Sequence, residues 1–189
     1  MIWTLVLVAG LALWYGAHLF KRVAPGRRAA MTDKMGEAAR GPIAFLILIS
    51  VAMMVVGFRK ADFIEIYDPP SWGRHANNLM MVFAVLLLGL GSSRSRARGW
   101  LRHPMLTGVL LWSTAHLLVN GDRDSVLLFG GLAIWSLVEM LVINGAEPKP
   151  ERFSGGSVVG DIRLVVISAV VFAVIIAVHI WIGPNPFTG

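Results

Sequence analysis

Five histidines and no cysteine define the chemistry open to this chain. Imidazole and carboxylate must carry any metal or acid–base role. Disulfides, cysteine zinc sites, thiolate-ligated haem or clusters, and covalent haem attachment through C-x-x-C-H are excluded, because their ligands are missing. Histidine is a frequent metal ligand and a haem ligand. His18 closes Trp14-Tyr15-Gly16-Ala17-His18, and His116 closes Trp112-Ser113-Thr114-Ala115-His116. Both strings read W-x-x-A-H. Residues four apart on a helix share a face, so each tryptophan is expected beside its histidine. In the second string the face continues from Gly108 to Asn120 in steps of four. Gly108 is expected to leave room for a flat ring near the backbone. Such a face offers an imidazole and a slot of aromatic and small residues, while a second ligand must come from elsewhere. The competing reading makes each pair an interfacial anchor with its polar tips in the headgroup belt.

The other ionisable groups are placed differently. His75 in Gly73-Arg74-His75 and His103 in Arg102-His103-Pro104 stand at the starts of apolar segments. They are alternate ligands, or else plain interfacial and loop histidines. His179 lies deep in an apolar run and either hydrogen-bonds between helices or ligates. Glu139 lies within another such run. A carboxylate at that depth must pair, stay protonated, or snorkel to the interface. Asn120, Asp122 and Asp124 surround Gly121 in a string that turn chemistry explains without a metal.

These residues must be positioned by membrane helices. The chain has 189 residues, 56% hydrophobic against 15% charged. Soluble domains carry about a quarter charged residues. Six apolar segments are expected as spans: Ile2–Phe20, Ile43–Phe58, Ala76–Leu90, Pro104–Val119, Val126–Ile143 and Leu164–Ile182. A span needs about 20 helical residues. The second to fourth segments are short of that, and the flanking Gly41, Pro42, Gly91 and Asn120 are expected to extend them. Backbone amides in hydrocarbon need partners within the segment, so the spans are helices. The expected fold is an all-α polytopic transmembrane bundle of about six spans. It divides into a core of five helices over 1–145, a linker over 146–160, and a sixth helix with a short tail over 161–189.

The chain holds 17 Lys and Arg against 11 Asp and Glu. Thirteen of the basic residues fall in the first, third and fifth loops, leaving Arg59, Lys60, Arg74 and Arg123 on the other side. The positive-inside rule places the odd-numbered loops in the cytoplasm and both termini outside. The basic excess is therefore a topology signal, and no nucleic-acid partner is expected. The first span follows no basic N-terminal stretch and is read as a retained helix rather than a cleaved leader.

The string Arg102-His103-Pro104, with Gly108, Trp112-Ser113-Thr114-Ala115-His116 and Asn120-Gly121-Asp122, resembles the NnrU family, and so does His18 closing the first span. The resemblance covers roughly 1–145. That family is similar to zeta-carotene isomerase, a membrane haem b protein that isomerises a cis double bond in a carotenoid. The resemblance implies haem b held by His18 and His116, with Trp14, Trp112 and Gly108 around it. It also implies a bacterial inner membrane protein that supports nitrite and nitric oxide reductase in denitrification. The isomerase has cysteine within its W-C-x-A-H, where this chain has Ser113. A hydroxyl is a poor iron ligand, so thiolate exchange does not carry over.

Helix direction sets a competing expectation. With the N-terminus outside, His18 falls near the cytoplasmic end and His116 near the outer end. Depth groups His18 with His103 and Glu139, and His75 with His116 and His179. The family-matched pair is kept first, with His75 and His103 as alternates. Three functions follow: a haem-binding accessory factor with reductase components as partners, a haem-dependent isomerase of an apolar polyene, or a transporter or lipid-embedded scaffold that uses Glu139 without a cofactor.

Overall fold

A computed structural model describes residues 1–183 and 185–187. Among them the chain is helical, and its only β pairing is an isolated bridge between Glu65 and Asp122. The helices are α1 (Ile2–Val23), α2 (Pro25–Met35), α3 (Arg40–Lys60), α4 (Gly73–Leu90), α5 (Pro104–Leu117), α6 (Arg123–Ala146) and α7 (Val158–Ile182). Pro25 and Pro104 open their helices, where a missing N–H costs little. The all-α bundle expected from the sequence is what forms.

Two elements differ from expectation. α2 is an additional short helix with no buried residue, carrying Arg27, Arg28 and Lys34. α5 stops at Leu117, so Asn120 does not extend it. Its 14 residues rise about 21 Å at about 1.5 Å each, less than the hydrocarbon thickness of about 30 Å. The remaining five apolar helices are long enough to cross a membrane. α5 ends early because side chains take its last carbonyls. Asn120 Nδ2 donates to His116 O at 2.8 Å, and the Tyr67 hydroxyl donates to Leu117 O and Asn120 O. Gly91 likewise lies beyond the end of α4, whereas Gly41 and Pro42 do lie within α3. α7 begins at Val158, where Ser157 Oγ accepts from Gly160 N.

Small residues let the helices approach, as expected where lipid supplies no hydrophobic drive between them. A Cβ on Gly10 would stand 2.9 Å from Met54 N, and one on Gly57 would stand 2.6 Å from Leu7 N. α1 and α3 therefore meet backbone to backbone. α6 packs on both α1 and α5, and α7 packs on α4. The buried apolar cluster of Leu7, Leu11, Met54 and Leu132 lies where α1, α3 and α6 meet.

The two ends of the bundle differ. At one end the N-terminal ammonium pairs with Asp62 at 3.3 Å, and Asn78 donates to Pro186 O at 3.2 Å. At the other end the basic loops meet: Arg102 donates to Glu147 O, Arg98 covers the Phe153 ring, and Ser157 N donates to Arg94 O. The positive-inside rule assigns the second end to the cytoplasm.

Candidate functional site

The W-x-x-A-H pattern acts as its helical spacing predicts. The Trp14 and His18 rings lie 4.1 Å apart, and those of Trp112 and His116 lie 4.9 Å apart. In both, histidine Nδ1 meets the tryptophan carbonyl four residues back, at 2.9 Å for His18 and 3.0 Å for His116. His179 repeats the arrangement, with Nδ1 at 2.8 Å from Ile175 O. A carbonyl only accepts, so Nδ1 carries the proton in each. In the neutral ring Nε2 then keeps its lone pair, the form that binds a metal.

The two strings serve different places. His116 lines a cavity of about 830 Å³ between α1, α3, α5 and α6, with Trp14, Trp112, Phe129 and Leu132 among its walls. Phe129 stacks on the His116 ring at 4.5 Å. His179 reaches the same cavity from α7. Arg59, Asp68 and Arg74 also line it. His18 does not line it. Its ring lies against Trp14 and, at 4.9 Å, against Trp135. Trp14 belongs to both places: it lines the cavity, and its ring packs on His18. The depth grouping that joins His116 with His179 matches this arrangement, and His75 stands apart from it.

A π-helical turn at Val126–Gly130 helps shape the wall. Such turns re-aim side chains and recur at functional sites. This one holds Leu128 and Phe129 against the cavity. Phe129 is the residue that sequence reasoning missed. Nothing in its spacing distinguished it from the other apolar residues of its segment.

Gly108 requires a correction. Its bare face meets α4: an added Cβ would stand 3.1 Å from Ala84 O and from Leu88 N. The space is filled by the neighbouring helix, not open to a ring. At about 3.6 residues per turn, steps of four drift around the helix. Two such steps carry Gly108 off the His116 face, and Val109 takes the cavity position instead. Ser113 is fully buried, its hydroxyl has no partner, and it lies outside the cavity lining.

The remaining candidates resolve individually. His103 Nε2 lies 2.8 Å from Asn144 Oδ1, a contact between α6 and the start of α5. His75 is exposed and outside the cavity. Glu139 is 5% exposed and takes Arg22 Nη1 at 2.7 Å, so it pairs rather than snorkels. Asp122 caps α6, accepting from Asp124 N at 3.1 Å and Ser125 N at 3.0 Å, which is the turn role expected for it.

No cluster of three or more His, Cys, Asp or Glu able to hold a bare metal ion exists among the described residues. Two imidazoles, His116 and His179, do meet one cavity. Ligand cavities span about 300–1,000 Å³ and are mostly apolar with few polar groups, a description this one meets. The indole Nε1 of Trp14, on the cavity wall, is buried without a partner. The cavity thus offers two imidazoles among apolar and aromatic walls, a donor set that would suit a group needing little else from the protein than imidazole.

Comparison with known proteins matches the chain to a family. The NnrU protein family matches residues 6–186, through α7. No curated protein and no solved structure matches the chain. With several helices long and apolar enough to cross a bilayer, the chain fits a multi-pass membrane protein, and it belongs to the NnrU family.

Proposed function

We propose that this protein binds haem b in the cavity beside His116 and acts as an accessory factor in nitrite and nitric oxide metabolism. The observation that carries the reading is the His116 ring itself. It is stacked on Phe129, flanked by Trp112, and held through Nδ1 by Trp112 O on the lining of a mostly apolar cavity. An imidazole partly buried among apolar helices is costly and calls for a function. Haem, when bound, supplies one-electron and small-ligand chemistry. The chain's part is to fix the imidazole, exclude water with Val109, Leu128 and Leu132, and set the polarity around the ring. Family membership supports the link to reductase systems, and the apolar helix surfaces support direct lipid contact.

The test is the absorption spectrum of protein purified in mild detergent, before and after haem addition. A Soret band that His116→Ala abolishes is the expected result. Its absence from the wild type after supplementation would remove the cofactor. Haem-dependent isomerisation of an apolar polyene is a second reading, favoured by the cavity's apolar walls. A haem-loaded preparation inactive on a cis polyene under reducing conditions would eliminate it.

A further inference from the structure

We infer that the second axial imidazole belongs to His179 of α7, and that His18 serves a separate role outside the cofactor cavity. The inference rests on the haem reading above and concerns this chain's own residues.

Two observations carry it. His116 and His179 are the two histidines that line the cavity, and His18, His75 and His103 do not. Both present the same tautomer, each with Nδ1 donating to the carbonyl four residues back, and so both offer Nε2. His18 has the same Nδ1 contact, but its ring packs against Trp14 and Trp135 and does not line the cavity.

α7 is otherwise hard to account for. Only Gly160 and Ser168 are buried along its length, and it packs mainly on α4. Its inner end is anchored by Asp161, which accepts from Ser95 Oγ at 2.7 Å and from Arg96 N at 2.8 Å. Near its outer end, His179 is a polar interruption in a run of Val, Ile, Ala and Trp. A residue that supplies a ligand from a loosely packed helix completes the cavity and fastens that helix to the core. His18 instead belongs to an inner polar group with Trp135, Arg22 and Glu139. In that group Trp135 Nε1, Arg22 Nε and Glu139 Oε2 are buried without partners.

The experiment compares wild-type protein with His179→Ala and His18→Ala, each purified in detergent and loaded with haem. Spin state is read by absorption and electron paramagnetic resonance. The wild type is expected to be six-coordinate and low-spin. His179→Ala should convert to high-spin and return to low-spin on addition of free imidazole, which distinguishes a lost ligand from a misfolded helix. His18→Ala should keep the low-spin spectrum. A low-spin His179→Ala protein, or conversion to high-spin in His18→Ala instead, overturns the assignment while leaving haem binding intact. A wild type with no Soret band overturns the haem reading itself, and this inference with it.

Discussion

Arg22 Nη1 lies 2.7 Å from Glu139 Oε1 and joins α1 to α6 across 117 positions of sequence. The partners are one helical turn beyond His18 and Trp135, which touch at 4.9 Å. Both side chains are largely withdrawn from solvent, 16% and 7% exposed, and Arg22 also reaches Glu147 at 3.2 Å. Removing one member of a buried pair costs about 3–5 kcal/mol, because the other charge is left uncompensated. Arg22→Leu should therefore lower stability by about that much. Arg22→Leu with Glu139→Leu should lose clearly less. Thermal unfolding of both, and of Glu139→Leu alone, in detergent decides it, and a double loss equal to the sum of the two single losses would mean the charges do not interact.

The α1–α3 contact gives a steric prediction. Gly57→Ala places a methyl group 2.6 Å from Leu7 N, where backbone cannot yield cheaply. A loss of about 1–3 kcal/mol is expected from overpacking. Gly16→Ala is the control, since nothing lies within 4 Å of the added carbon. It should be neutral or slightly stabilising, because alanine is the better helix former. Similar losses from both would contradict the close approach.

The outer cap gives a pH dependence. Burial, and next the nearby Asp122 charge, raise the Tyr67 phenol above its ordinary value. A raised value means the folded state holds the proton more tightly than the unfolded chain does. The contribution is fully present below the ordinary phenol pKa of about 10 and is lost as pH rises through the higher folded value. Unfolding followed at increasing alkalinity should show falling stability above about pH 10 in the wild type. The slope should be shallower in Tyr67→Phe, and identical slopes would exclude Tyr67 as the titrating group.

Ser113 supplies a prediction of opposite sign. Its hydroxyl is buried and has no partner. An unsatisfied buried polar group is a standing cost, and alanine fits a helix better than serine. Ser113→Ala should raise stability by about 0.5–1 kcal/mol. A loss on denaturant or thermal unfolding would reveal a partner for the hydroxyl.

Much of this architecture is local and therefore legible in the residues. The apolar segments and the basic loops set the helices and their alternation. Spacing of four put Trp14 beside His18 and Trp112 beside His116, because helical periodicity needs no neighbour to operate. Desolvation alone left Glu139 to pair, stay protonated or snorkel, and the structure shows that it pairs. That the partner is Arg22 depends on which faces of α1 and α6 meet, a matter of packing between segments far apart in sequence. The same packing turns Gly108 onto α4, stops α5 at the carbonyls taken by Asn120 and Tyr67, and through the π turn sets Phe129 on His116. It also keeps His18 off the cavity lining while bringing His179 to it. Two histidines with one sequence motif thus face different surroundings, because a motif fixes the side of its own helix and the bundle decides what stands opposite.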